Sequence, residues 1–186
     1  MVMESMGVPG ITGSGKTPVT DAFIMGLSHH LRAAHRFLEQ LTESERHALV
    51  GCCRDIQAAQ RQLNQALEAA FAYCGAQCQG KCCKNIHIDS IISRLDCLFI
   101  LALNRDLFPD LIECAERVGL YSEDCPFLMD GVGPCLFPAD QKPEQCIITF
   151  CTPVSTAHRP IRRVRIAFTR LWGHVFFRRP FFWLGW

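Results

Sequence analysis

The chain has 186 residues, 49% of them hydrophobic and 20% charged, with a formal net charge of +1. That composition supports one packed domain of ordinary size and gives no whole-chain case for a nucleic-acid or acidic partner. Two local departures hide in the averages: 12 cysteines, ten of them between Cys74 and Cys151, and a C-terminal stretch, 157–186, with seven Arg and no acidic residue, which leaves residues 1–156 at −6.

In chain order, residues 1–16 form a loose leader. They include Gly10–Thr17, "GITGSGKT", which satisfies G-x-x-x-x-G-K-[ST], the phosphate-cradling loop of nucleotide hydrolases. Gly15, Lys16 and Thr17 are its nucleotide-binding candidates. Such a loop needs a buried strand before it, and "VMESMGV" with Glu4, Ser5 and Gly7 makes a poor one. The chain downstream reads helix after helix rather than alternating strand and helix. The better reading of this segment is a leader ahead of a helix that starts at Thr17-Pro18, with Thr as N-cap and Pro at the first helical position.

Phe23, Leu27, Ala34, Leu38 and Leu41 follow at helical spacing, with His30 on the same stripe as a packed or partly solvated side chain. Thr42 and Glu45 form a capping-box pattern that opens a second long helix. Its seam is Leu49, Cys53, Ile56, Gln60, Leu63, Leu67, Ala70 and Cys74, in alternating steps of four and three. Cys52 and Cys53 read as helix residues, Cys53 as a small buried hydrophobe. A third helix is expected from Ile88 to Leu103 and a short fourth from Asp106 to Val118, ended by Gly119. Cys97 and Cys114 are then helix residues. From Glu123 to Pro153 the texture turns to Pro, Gly and Cys, an irregular wrap with two short strands expected around Leu136 and Ile147. Residues 154–186 are expected as a poorly ordered tail, with weak contact to an anionic membrane surface as the functional alternative.

The chemistry concentrates in "CGAQCQGKCCK" (74–84), "CPFLMDGVGPCLFP" (125–138) and "KPEQCIITFC" (142–151). These hold Cys74, Cys78, Cys82, Cys83, Cys125, Cys135, Cys146 and Cys151. Four thiolates suffice for one tetrahedral zinc or one iron–sulfur cubane, and the intervening Gly and Pro allow the bends that aim several sulfurs at one point. His87 is a further ligand candidate, though it reads better as a helix-start residue. The N-terminus has no basic region followed by an apolar run, so a reducing, cytoplasmic setting is expected, in which clustered cysteines read as metal ligands rather than disulfides.

Three elements here resemble the YkgJ-type cysteine-cluster family, described as zinc- or iron-chelating domains. They are Gly80-Lys81-Cys82-Cys83, then Cys125-Pro126-Phe127-Leu128 with Gly131 or Gly133 and Cys135, then Lys142-Pro143-Glu144-Gln145-Cys146 closed by Cys151. Lys142 stands where that pattern usually has Arg, and the spacing from Cys74 to Cys78 to Cys82 is looser than usual. The resemblance implies metal binding and no particular reaction. No catalytic residue set is legible.

The expectation is therefore a mainly α protein, a small helical bundle (17–153) carrying a cysteine-rich irregular metal-binding wrap. Its cofactor is zinc or iron, the latter also as a 4Fe-4S cluster. It is expected to act as a metal binder rather than an enzyme, with an iron–sulfur redox protein as the alternative.

Overall fold

The computed structural model describes residues 26–73, 83, 88–117, 125–128, 135–149, 155–180 and 182. The leader, with Gly15, Lys16 and Thr17, and the expected helix start at Thr17-Pro18 lie outside the described residues.

The protein is mainly helical. Helix α1 (Leu27–Glu39) buries Leu27, Leu31, Ala34 and Leu38, one face of a 3.6-residue repeat. Helix α2 (Glu43–Ala66) starts at the expected capping box. The Glu45 amide donates to Thr42 Oγ1 at 3.3 Å, and the Thr42 amide donates to Glu45 Oε2 at 3.0 Å. The seam from Leu49 through Cys53, Ile56, Gln60 and Leu63 to Leu67 is buried throughout. The helix stops short of the expected length. Leu67 leaves helical geometry (φ −125°, ψ 24°) and α3 (Glu68–Tyr73) resumes after it.

The third expected helix is two. A short turn, α4 (Ile88–Ile91), is followed by α5 (Arg94–Leu103). The break has a local cause. Ser93 sits in extended geometry as an N-cap, its hydroxyl accepting from the Asp96 amide at 3.2 Å while Asp96 Oδ2 accepts from the Ser93 amide at 2.8 Å. A second capping box thus wins over helix continuation. Helix α5 is buried from Arg94 to Leu101, the pattern of a helix with neighbours on more than one side. It packs against both α1 and α2. Consecutive α1 and α2 are therefore not a closely packed antiparallel pair, as their lengths suggest; α5 is the principal partner of α1.

After a short 3-10 turn (Arg105–Leu107), α6 (Phe108–Arg117) packs on α1. Phe108 stacks on His35 with ring centroids 4.0 Å apart, Leu111 is buried, and Arg32 pairs with Glu116. Val118 and Gly119, the expected end of this helix, lie outside the described residues.

The C-terminal stretch departs most from expectation. Residues 158–178 form α8 (His158–Arg178), which packs on α2. It buries Val164, Ala167, Phe168, Leu171 and Val175, and the Phe168 ring meets Phe99 of α5 edge-on at 5.4 Å. Pro160 falls in the first helical turn, where its missing N–H costs no hydrogen bond. The abrupt compositional shift hid an ordinary amphipathic stripe. At about 1.5–3 kcal/mol for each large apolar side chain removed from water, those four larger residues are enough to hold the helix down. Among the described residues no helix is long and apolar enough to cross a membrane.

Candidate metal centre

The wrap is fastened to the helices by directed polar bonds. Gln60, fully buried on the α2 seam, clasps the backbone of one wrap residue at both its N–H and its carbonyl. Its amide donates to the Lys142 carbonyl at 2.7 Å, and its Oε1 accepts from the Lys142 amide at 3.0 Å. One turn on, Asn64 donates to the Ala139 carbonyl at 2.9 Å, and Arg61 pairs with Asp140 at 3.1 Å. A buried amide is costly unless both ends are satisfied, and the wrap supplies that here.

Asp96 does two jobs at once. One carboxylate oxygen caps α5, also accepting from the Ser93 hydroxyl at 2.5 Å. The other accepts from the Glu144 amide at 2.7 Å. That amide opens α7 (Glu144–Ile148), the short helix that carries Cys146. Burial raises the Asp96 carboxyl above its ordinary value, against the opposing pull of the hydrogen bonds from Ser93 and Glu144. Ile147 is therefore in a helix, not the expected strand: Pro143 supplies the extended residue before it, and Asp96 satisfies its first amide.

A second set of bonds ties the cysteine-bearing segments to one another. The Cys125 amide donates to the Cys83 carbonyl at 2.8 Å. The chain turns at Cys125–Leu128, with the Leu128 amide on the Cys125 carbonyl at 3.2 Å, and Leu128 and Cys135 form an antiparallel bridge. The Leu136 amide closes the same pairing on the Phe127 carbonyl at 2.8 Å, so the expected strand near Leu136 is a single bridge. Beneath it the buried Phe127 and Phe137 rings pack at 4.7 Å.

Four cysteines of the expected ligand set are described, Cys83, Cys125, Cys135 and Cys146, and Cys146 lies near enough to feel the charges of the other three. The Cys146 thiol is pushed well up from its ordinary value, first by desolvation and then by the charges of Cys125, Cys135, Asp96 and Cys83, in that order for the thiols. The Cys146 residue is itself exposed to solvent. Cys135, half-buried, is raised by desolvation, while the Phe137 amide and Lys142 favour its thiolate. Among the described residues no three His, Cys, Asp or Glu side chains form a set spaced to hold a metal ion. Cys74, Cys78, Cys82 and Cys151, the other expected ligands, lie outside the described residues, as does His87.

No family model, curated protein or solved structure matches the chain.

The remaining cysteines behave as helix residues. Cys53 and Cys97 are buried in α2 and α5 and pushed up by desolvation, Cys97 also by the charge of Asp96. Cys52 and Cys114 are half-buried and raised by the same cause. None of these environments favours a reactive thiolate. Sequence patterns alone missed Asp96 and the role of Gln60. Each left a trace: Ser93-x-x-Asp96 is a capping box, and a Gln at a position otherwise filled by Leu, Ile and Cys demands a buried partner.

Proposed function

We propose that the chain is a metal-binding protein that holds zinc or iron, the latter as an ion or an iron–sulfur cluster, through thiolates of the wrap. The ligands are drawn from Cys78, Cys82, Cys83, Cys125, Cys135, Cys146 and Cys151, with Cys74 as an eighth candidate.

The proposal is supported by the placing of Cys83, Cys125 and Cys135, from separated stretches of chain, within charge range of Cys146, with Cys125 bonded to Cys83 through the backbone. Thiols within charge range of one another repel once ionised. A soft divalent cation turns that repulsion into coordination and drives deprotonation of the ligating thiols. The donor set is all sulfur at these positions, which fits zinc and iron and does not suit magnesium or calcium. The Phe137 amide and Lys142, both of which favour the Cys135 thiolate, supply the outer support that thiolate sites use. The resemblance of the three cysteine elements to YkgJ-type domains points the same way. A bound metal would contribute folding energy or, as an iron centre, electron-transfer capacity.

Elemental analysis of protein purified anaerobically tests this. The expected result is zinc or iron in fixed ratio to protein, lowered in Cys83→Ser and Cys146→Ser together with the melting temperature. Metal-free wild-type protein with an unchanged melting temperature after chelator treatment would overturn it. Brown protein absorbing broadly near 400 nm selects the iron–sulfur form, and colourless protein with stoichiometric zinc selects the other.

A further inference from the structure

Helix α8 has a second face that the packing on α2 leaves open. All the large hydrophobic side chains exposed among the described residues lie on α8 outside its buried row: Ile166, Trp172, Phe176 and Phe177, with Phe177 82% exposed. Ile166 and Phe177 fall opposite the buried row of Val164, Leu171 and Val175, and Trp172 and Phe176 lie on its flank. Arg159, Arg162, Ile166, Arg170, Gly173 and Phe177 succeed one another in steps of three and four, so they share one side of the helix. That side carries Arg159, Arg162 and Arg170 together with Ile166 and Phe177, and the Trp172 and Phe176 rings adjoin it. The helix has no acidic residue. Two of its neighbouring cations are engaged, Arg163 with Gln62 at 2.7 Å and Arg179 with Glu45 at 2.8 Å. Arg159, Arg162 and Arg170 make no ion pair among the described residues.

We infer that the outer face of α8 docks on an anionic lipid surface, lying in the plane of the interface with Ile166, Trp172, Phe176 and Phe177 inserted and the arginines on the headgroups. The apolar stretch from Ile166 to Phe177 is about 16 Å long at 1.5 Å per residue, a length suited to lying in the interface rather than spanning it. Charge complementarity selects this occupant over the others. A second copy of α8 would bring arginines against arginines, with no carboxylate to answer them. Nucleic acid would satisfy the arginines but not Ile166. Trp172 and Phe176 already stack on each other at 4.9 Å and 14°, which covers a face of each ring that a base would need.

Flotation of the full chain with vesicles tests this. Wild type is expected to float with phosphatidylcholine vesicles containing about a third phosphatidylserine and not with phosphatidylcholine alone, with binding falling as salt rises. Arg162→Gln and Arg170→Gln should each lower partitioning about fivefold, from about 1 kcal/mol per surface arginine. Phe177→Ser should lower it about tenfold, with the melting temperature held because that side chain packs on little. In a Trp183→Phe/Trp186→Phe background, fluorescence of Trp172 should be quenched by brominated lipid, a readout that leaves α8 itself unchanged. Absence of flotation, binding unaltered by these substitutions, or preferential binding of a single-stranded oligonucleotide would overturn the inference. So would a dimer that Phe177→Ser dissolves.

Discussion

The helices and the wrap are held by different physics. In the stack of α6, α1, α5, α2 and α8, the buried side chains are apolar apart from Gln60, Arg94 and Asp96, and α5 at the centre has no side free to face water between Arg94 and Leu101. The wrap of 125–128 and 135–149 buries Cys125, Phe127, Phe137, Pro143, Ile147 and Ile148. Its position, by contrast, rests on individual bonds from Gln60, Asn64, Arg61 and Asp96. Apolar burial is non-directional and tolerates small shifts; hydrogen bonds to named peptides fix register. The proposed site, which would need several sulfurs aimed at one point, would therefore rest on the second kind of support, standing on a platform made by the first.

Substitutions can break each side separately. Phe99→Ala, at a fully buried position against Phe168, should cost about 3–5 kcal/mol of global stability. Molecules that remain folded should keep their full metal content, because no wrap bond is touched. Asp96→Ala should cost about 2–3 kcal/mol by stranding the Ser93 and Glu144 amides, and here metal content should fall with it. Gln60→Ala should cost about 2 kcal/mol. Its signature is local: faster amide exchange over 139–149 with little change in α1 and α6. Equal slowing or speeding across both regions would show that wrap and stack unfold as one unit.

The smallest effect lies at the capping box. The Thr42 amide, then Arg179, then the Thr42 hydroxyl hold the Glu45 carboxyl down from 4.5 to about 2. A carboxyl favoured as its anion in the fold stabilises fully above 4.5 and loses that contribution as pH falls toward 2. Glu45→Gln should therefore be less stable than wild type at neutral pH, and the gap should close in acid. Denaturant midpoints of both proteins across that range measure it. A gap independent of pH would mean the cap works through packing rather than charge.

Legibility followed the same division. The α1 stripe, the Thr42–Glu45 box, the α2 seam and the apolar run of α5 all stand in the sequence, because 3.6-residue periodicity is a local signal. The stripe of α8 stands there too, but seven arginines among exposed aromatics gave the segment a composition that masked its periodicity. The break at Ser93 was masked the other way, by apolar residues on both sides of a polar cap. What no local pattern carries is which peptide a buried polar group will hold. Gln60 and Lys142 are 82 residues apart, and Asp96 and Glu144 are 48 apart. The cysteine elements announced sulfur chemistry by type and spacing. Which sulfurs come near Cys146 is set by contacts of that long-range kind, the Asp96 bond to the Glu144 amide among them.

X-ray absorption at the metal edge of the anaerobically purified protein tests the central claim most directly. The account predicts a first shell dominated by sulfur at about 2.3 Å, thinned by one scatterer in Cys146→Ser. A first shell of oxygen and nitrogen alone, or a sulfur shell untouched by Cys146→Ser, would contradict it.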